Sequence, residues 1–460
     1  MKILYGKDAR EKIKRGIDKC VDAVKVSMGK EGKNVLIYNG TFTEIINDGV
    51  SIAREVEVKD EIEQAGIVLA KYCAGKTNAV CGDGTTGTLV LLQSILNEVI
   101  SEIQLEKPRN LRKQIFTATE KIMKKLDESS RMINGRDDIY NVALTSSLSE
   151  EIAEKITDIF VKLGKDASIT LDDTERNVFE VEYVDGIQFN SINIALYSEE
   201  KEEYEDISYF VSKKEVKAKD ILEKLNVLAE KGENQLVIIA PKFANEAVGL
   251  LVKLQMQGKF KVGAVQNREL NEDDLIAFGN KAKKITITKE KTTVIGGNGD
   301  IKQYVEKLKG ELDKEESSFN REKIKERISY LTGGIAVVKI GKPTDVETRE
   351  SFLKVEDSIH SVRWAYQDGV VKGGGLALKE ASECLDESIE GERIMKVVCQ
   401  SPYKQICNNA EEEIVIGENV IDSLKVIKTA LQNAVSTATS ILTAEAALIK
   451  ENDNETEVHN

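Results

Sequence analysis

A glycine-rich stretch, CGDGTTGTLVLLQSIL over residues 81–96, has the residue types that could hold a phosphate group. Gly82 and Gly84 permit positive φ and let a ligand approach the backbone closely. Thr85 and Thr86 add hydroxyl donors, and the apolar spacing that follows predicts a helix whose first N–H groups attract anions. Asp83 would repel phosphate unless a hard cation such as Mg²⁺ lay between them. The stretch indicates a Mg²⁺–nucleotide loop, and an ordinary helix cap is the alternative that spacing alone leaves open.

The composition predicts that any catalytic chemistry in this chain depends on carboxylates. His360 and His459 are the only histidines, which leaves too little material for histidine-dependent triads or the usual zinc sites. The six cysteines form no C-x-x-C pair, so we expect them to be reduced. The chain also contains no G-x-x-x-x-G-K-[ST] string, which excludes an ordinary P-loop.

Charge and hydropathy limit the partners of the protein. A formal net charge of −14 argues against a nucleic acid held by phosphate contacts. The N-terminal residues lack the apolar core of a signal peptide, and no apolar run approaches the ~20 residues of a membrane span. We therefore expect a cytoplasmic protein with neither a nucleic-acid nor a membrane partner.

The elements that must position the loop form mainly helical ends around an α/β middle. At 460 residues the chain is too long for one core, which predicts about two to four domains. Hydrophobic periodicity predicts helices over 8–29, 220–230, 245–257, 311–330, 346–367 and 429–450, and strands over 34–38, 44–46, 179–183, 235–240, 261–265 and 334–340. This order suggests a middle domain inserted into one that is built from both termini.

Five ordered blocks carry a resemblance to a known family. They are residues 8–35, 47–60, 82–88, 319–341 and 355–378, and the last reads VEDSIHSVRWAYQDGVVKGGGLAL. In order and spacing they resemble the group I chaperonins of the GroEL type, and the likeness spans nearly the whole chain. The resemblance implies a multidomain α and α/β subunit with a mostly helical equatorial ATP-binding domain (1–130 and 368–460), a small intermediate hinge domain (131–184 and 336–367) and an α/β apical client-binding domain (185–335).

The resemblance also implies a nucleotide site. It gives Asp83 the role of the Mg²⁺-binding acid, Asp357 that of the carboxylate that orients the attacking water, and Asp48 that of an acid near the γ-phosphate. The positions that match the ATP-binding residues of the family are Ser27, Met28, Gly29, Gly82, Gly84, Thr85, Thr86, Gly87, Gly374 and Asp422. Without the family, Asp48 and Asp357 read equally as caps or solvated acids, and Gly374 as part of a flexible turn.

Clients and assembly are implied in the same way. The positions that match a groove for non-native polypeptides are Leu196, Tyr197, Leu222, Leu225, Val248, Leu251 and Val252. Val248, Leu251 and Val252 share one predicted helix face, although a face that packs inward has the same pattern. The resemblance implies a homo-oligomeric, heptameric ring and a co-chaperonin lid.

Several positions depart from the family pattern. Asn47 replaces a lysine, Gly87 a threonine and Lys30 a proline, while Ser191 replaces an arginine that would pair with Asp345 of a neighbouring subunit. The chain is also much shorter between residues 409 and 422, where the family packs on adenine.

Three functions fit these residues. The first is an ATP-hydrolysing folding chaperone, which the acids at 48, 83 and 357 favour. The second is a non-hydrolysing holdase or scaffold ring, which Asn47 and the shortened segment favour. The third, a stand-alone phosphotransferase that uses the loop at 82–87, lacks any visible chemistry for a second substrate.

Overall fold

The computed structural model describes residues 2–38, 43–102, 107–174, 176–194, 201–257, 260–267, 271–289, 291–315 and 317–449. Its helices are α1 Gly6–Val24, α2 Gly49–Glu55, α3 Glu61–Cys81, α4 Thr85–Glu102, α5 Pro108–Ser129, α6 Gly135–Ser147, α7 Glu150–Leu163, α8 Ala218–Glu230, α9 Asn245–Gln257, α10 Glu272–Ala277, α11 Ile301–Lys314, α12 Ser318–Gly333, α13 Asp345–Asp368, α14 Leu376–Ala381, α15 Glu390–Cys399, α16 Ser401–Ala410 and α17 Leu424–Leu442. A single turn of 3₁₀ helix, Lys25–Ser27, follows α1.

The strands are short and are concentrated in the middle of the chain. They are β1 Lys2–Tyr5, β2 Val35–Tyr38, β3 Thr43–Ile46, β4 Ser168–Asp173, β5 Val178–Val184, β6 Gly186–Asn193, β7 Lys201–Val211, β8 Gln235–Ala240, β9 Lys261–Asn267, β10 Lys281–Thr288, β11 Lys291–Ile295, β12 Ile335–Gly341, β13 Val370–Lys372, β14 Ile421–Ser423 and β15 Ala446–Ile449.

The chain forms two compact units. The first comprises Met1–Lys165, Glu175–Asn177 and Gly341–Asn460, and the second comprises Asp166–Thr174 and Val178–Ile340. The first unit therefore contains both ends of the sequence around an inserted middle. The finer division into equatorial, intermediate and apical domains stays a prediction.

A buried helix is at the centre of the first unit. Leu89, Leu91, Leu92, Ile95 and Leu96 of α4 are all fully buried in the main core of this unit. Because α4 is apolar on nearly every side, α1, α3, α15 and α17 can pack around it. The N-terminus of α4, at the glycine-rich loop, is thereby held in a fixed place.

The first unit also contains short antiparallel strand pairs. β1 pairs antiparallel with β15, so that Lys2 lies opposite Ile449. β2 and β3 form an antiparallel hairpin. β13 pairs antiparallel with β14, which places Val371 opposite Asp422.

The second unit is built on a closed barrel with the strand order β10-β11-β6-β9-β8-β7. β7, β8 and β9 are parallel neighbours, and the remaining barrel pairs are antiparallel. Helices α8 and α9 pack on the β8–β9 side through a separate apolar cluster. A three-stranded sheet, β4-β12-β5, completes this unit.

Most of the predicted elements are confirmed, and three predicted boundaries are wrong. The helix predicted over 8–29 ends at Val24, because a 3₁₀ turn and Gly29 with φ +84° follow. The helix predicted over 311–330 is two helices, since the Ser317 hydroxyl accepts a hydrogen bond from the N–H of Asn320 and begins α12. The helix predicted over 429–450 ends at Leu442, and the residues after it pair with β1.

The contact between α1 and α3 gives a test of this packing. A Cβ added to Gly66 would lie 2.1 Å from the carbonyl oxygen of Ile13, whereas one added to Gly75 on the same helix meets no atom within 4 Å. We expect Gly66→Ala to lower the free energy of unfolding by about 1–3 kcal/mol, because the helices must separate. We expect Gly75→Ala to leave it unchanged or raise it by up to about 1 kcal/mol. Urea unfolding of both variants decides this, and equal stabilities would contradict the close contact.

Candidate functional site

The glycine-rich loop connects α3 to α4 by a turn that needs glycine. Gly82 ends α3 with φ +68°, in the left-handed region. A Cβ at this position would lie 2.3 Å from Cγ of the His360 ring. Any residue other than glycine at position 82 would therefore strain the backbone and clash with the His360 ring. Thr85 then begins α4, an 18-residue helix.

Asp83 is the most heavily hydrogen-bonded acid of the loop. Its Oδ2 accepts hydrogen bonds from the hydroxyls of Ser146 (2.8 Å) and Ser361 (2.6 Å), and its Oδ1 accepts one from the N–H of Gly84. Burial raises the pKa of this carboxyl, and the nearby charge of Asp48 raises it further, against the three hydrogen bonds. Burial and Asp48 thus disfavour the ionised form, while the three hydrogen bonds stabilise it.

Asp48 approaches the loop from the start of α2. Its carboxylate caps that helix by accepting a hydrogen bond from the N–H of Ser51 at 2.7 Å. Gly49 lies against the first turn of α4, since a Cβ added to it would be 2.2 Å from Oγ1 of Thr86. The starts of α2 and α4 therefore adjoin, and the cap interpretation of Asp48 is confirmed without excluding a second role.

Asp357 reaches the same place from α13. Burial raises the pKa of its carboxyl well above the ordinary value, and the charges of Asp83, Asp48 and Glu356 raise it further. The side chain is half-buried. Residues 83 and 357, which are far apart in the sequence, thus lie within electrostatic reach of each other inside one compact unit.

Asp422 and Gly374 come from the β13–β14 pair and the turn that follows β13. Burial raises the pKa of Asp422 to about 7, the charge of Asp83 adds to this, and a hydrogen bond from the backbone of Gly374 opposes it. Gly374 has φ +63°. The structure therefore brings these two predicted nucleotide residues together, beside Asp83.

The turn at Ser27, Met28 and Gly29 lies near the first turn of α4. Met28 Cε is 4.0 Å from the position that a Cβ on Gly87 would take. Asn409 of α16 holds the turn by donating hydrogen bonds to the carbonyls of Lys25 (2.9 Å) and Met28 (2.8 Å). This second predicted phosphate turn adjoins the glycine-rich loop.

The electrostatics of the site fit a bound cation. Burial and the charges of other carboxylates are the largest causes that raise the pKa of Asp83, Asp357 and Asp422. The described residues do not contain a group of three or more His, Cys, Asp or Glu side chains arranged to hold a metal ion by themselves. Mg²⁺ commonly binds through one or two carboxylates, with waters and phosphate oxygens as the other ligands. The donor set, with Asp83 at its centre, fits that mode of binding.

The structure shows what surrounds Asn47 and Gly87, two positions that depart from the family pattern. Asn47 donates a hydrogen bond to Glu350 at 2.9 Å, and the same carboxylate oxygen accepts one from Lys354 at 2.7 Å. A Cβ on Gly87 would make only an ordinary contact, with Met28 Cε at 4.0 Å, and Lys30 is exposed. The place of the family lysine is thus taken by a neutral amide bound to an ion pair.

The predicted client-binding residues belong to the second unit, and only some of them are at its surface. Leu222 is 46% exposed, and Val248 and Val252 are half-buried. Leu225 and Leu251 are 4% and 2% exposed, because they pack into the core under α8 and α9. The expectation that these two face a client is not met in this conformation. Leu196 and Tyr197 lie outside the described residues.

Sequence reasoning missed the residues of α6 and α13 that contact the loop. Besides Ser146 and Ser361, the indole N–H of Trp364 donates a hydrogen bond to the carbonyl of Cys81 at 3.1 Å. Ser361 and Trp364 are one and two helical turns after Asp357, so helical spacing could have placed them on its face. No sequence signal marked Ser146.

Comparisons with known proteins show which family and which solved structures the chain is similar to. The model of the TCP-1/cpn60 chaperonin family matches residues 21–202. A crystal structure of the chaperonin gp146 from the bacteriophage EL 2 (Pseudomonas aeruginosa), in the presence of ATP-BeFx, matches with a TM-score of 0.70 at 18% identity, covering 98% of this chain and 100% of that chain. A second crystal form of that chaperonin, also with ATP-BeFx, gives a TM-score of 0.66 at 19% identity and covers 98% and 99% of the two chains.

The chain therefore has the chaperonin fold. Over residues 21–202 the chain is also similar in sequence to the TCP-1/cpn60 chaperonin family. In the part of the chain that the structure describes, no helix has both the length and the apolar character needed to span a bilayer.

Asp422→Asn tests the charge balance of the site. The pKa of Asp422 is about 7 in the fold and 3.8 ordinarily, so the folded protein keeps a proton that the unfolded chain releases. The free energy of unfolding of the nucleotide-free protein should therefore fall as pH rises from about 4 to about 7. We expect the asparagine variant to lose the Asp422 part of this fall. Its stability advantage over the parent should therefore grow across that window and then stay constant.

Urea midpoints between pH 5 and pH 8 measure the effect. Asp368→Asn is a matched control, because Asp368 is exposed and its pairing with Lys425 at 3.9 Å should contribute little. An Asp422→Asn profile parallel to that of the parent would contradict the burial of this acid beside Asp83.

Proposed function

We propose that the protein is an ATP-dependent molecular chaperone that hydrolyses ATP at the first unit and binds non-native polypeptides on the second. The observation that carries the proposal is the convergence of Asp48, Asp83 and Asp357 on the N-terminus of α4. Phosphoryl transfer to water requires charge neutralisation and positioning more than covalent help. Each of these requirements has a candidate residue here.

The first turn of α4 would receive the phosphates. Its backbone N–H groups lack partners within the helix, and Thr85 and Thr86 add hydroxyls. Asp83 would hold Mg²⁺, which when bound neutralises charge on the phosphoryl oxygens. Gly374 and Asp422 would contact the ribose, and the turn at Ser27, Met28 and Gly29 would line the phosphate side.

Asp357 would orient the attacking water. Only its ionised form accepts the proton of that water, yet burial and neighbouring acids raise its pKa. A cation on Asp83 would lower that pKa, since an opposite charge within a few ångströms favours the carboxylate. Hydrolysis would therefore depend on the metal for the state of Asp357 as well as for charge on the phosphate.

Client binding, assembly and location follow from the resemblance. Leu222, Val248 and Val252 would present apolar surface to unfolded chains, as a groove for amphipathic segments does. The proposal includes a homo-oligomeric, heptameric ring, a co-chaperonin lid and a cytoplasmic location. Both crystal structures of the phage chaperonin were obtained in the presence of ATP-BeFx, which supports a nucleotide in this fold.

A second candidate, a non-hydrolysing holdase or scaffold ring, is favoured by the contact of Asn47. The amide is bound to the Glu350–Lys354 ion pair and adds no positive charge to the phosphate site. Steady-state ATPase measurements with and without an unfolded client separate the two candidates. A parent protein that forms rings and binds clients without turnover would establish the second.

Asp357→Ala tests the hydrolytic role. We expect kcat for ATP to fall by about 100-fold or more, as for the loss of a group that handles the proton of the nucleophile, while nucleotide affinity changes little. Glu347→Gln is the control, because Glu347 is an exposed carboxylate in the first turn of the same helix. A variant at 357 that turns over as fast as the parent would remove the proposed role.

Leu222→Ser tests the client surface. Losing this half-exposed side chain should weaken capture of an unfolded client about fivefold, which corresponds to about 1 kcal/mol of apolar contact. Val227→Ser is the matched control, since Val227 is 48% exposed on the same helix but points about 140° away. Binding of a fluorescent unfolded protein is the measurement, and equal losses in both variants would argue against a specific surface.

A further inference from the structure

One face of α13 lies along three consecutive residues of the glycine-rich loop. Trp364 donates to the carbonyl of Cys81, the His360 ring lies against Gly82, and Ser361 donates to Asp83. On the opposite side of Asp83, Ser146 of α6 donates to the same carboxylate oxygen. Asp83, the metal-binding acid of the proposed site, is therefore held by residues of α6 and α13 as well as by its own loop.

The hydrogen bonds to Asp83 use most of the acceptor positions of its carboxylate. An ionised carboxylate has about four lone-pair positions, two on each oxygen. Ser146 and Ser361 occupy both positions on Oδ2 of Asp83, and the N–H of Gly84 occupies one on Oδ1. One position remains, and it is on Oδ1.

We propose that Ser146 and Ser361 are positioning residues that fix the Asp83 carboxylate so that only Oδ1 is open to the cation of a Mg²⁺–nucleotide. The inference rests on the function proposed above and specifies how its metal ligand is held. Hydrogen bonds that orient a ligating carboxylate typically change metal affinity by 10- to 100-fold when they are removed. The serines thus set the affinity and the one-oxygen binding mode of the metal.

The direction of the two hydroxyls supports a dedicated role. A buried serine in a helix usually donates to a carbonyl of a preceding turn, as Ser147 does to Ala143 at 2.7 Å. Ser358 of α13 also donates to the carbonyl of Ala143, at 3.0 Å. Ser146 and Ser361, each close to one of these in sequence, instead donate to a carboxylate, where a charge-assisted bond is stronger.

The test measures metal affinity directly. Free Mn²⁺ is followed by its electron paramagnetic resonance signal while the full-length protein, with a non-hydrolysable ATP analogue, is titrated with Mn²⁺. We expect Ser146→Ala/Ser361→Ala to raise the Kd for Mn²⁺ by about 10- to 100-fold, and each single variant to raise it less. Ser358→Ala is the control and should bind as the parent does. Ser361→Thr keeps the hydroxyl and should stay closer to the parent than Ser361→Ala.

A kinetic measurement separates positioning from general damage. The Mg²⁺ concentration for half-maximal ATPase should rise in the alanine variants, while kcat at saturating Mg²⁺ changes little. If Asp83→Asn abolishes Mn²⁺ binding but the serine variants bind as the parent does, the positioning role is overturned. If the parent itself binds no Mn²⁺ with nucleotide, the proposed function is overturned as well. The single variants decide the question if the double variant does not fold.

Discussion

Repulsion among half-buried carboxylates is the constraint on which the rest of this site depends. Asp48, Asp83, Asp357 and Asp422 influence one another through space, and burial adds to the cost of ionising them. For Asp422, a pKa of about 7 corresponds to a few kcal/mol against the charged form. Clustering these acids lowers the stability of the fold, and the arrangement therefore indicates a binding site.

The fold keeps the acids together by anchoring each on a separate, well-packed element. Asp83 is next to α4, whose apolar residues are buried on nearly all sides, and Asp357 is on α13, whose buried side packs on α6 and α17. Since α13 follows the inserted second unit in the chain, the site is complete only after both ends of the sequence have folded together. The α13 contacts with Cys81 and Asp83 are thus long-range contacts that make the loop dependent on the whole first unit.

The sequence predicted the elements that depend on local residue patterns, and the loop that a recognisable motif marks. Hydrophobic spacing located most helices and strands, and the glycine-rich string located the loop and Asp83. Periodicity could not show that residues 446–449 leave the helical pattern to pair with β1, because that pairing joins opposite ends of the chain. It also could not separate a surface leucine from a core leucine, so Leu225 and Leu251 looked like Leu222. Ser146 shows the same limit, since only the tertiary fold brings its hydroxyl to Asp83.

The charge balance around the loop bears on which form of nucleotide the site can accept. The neutral Asn47, with its partner ion pair, supplies no net charge near Asp48, and burial and neighbouring acids raise the pKa of Asp83 and Asp357. A free triphosphate would therefore meet several acids, and the partial positive charge of the helix end would attract it only weakly. A triphosphate that arrives with its divalent cation brings the compensating charge with it. Under the proposed function, the residues around the loop would therefore select for the metal complex of a nucleotide, because carboxylates and phosphates can be neighbours only across a shared cation.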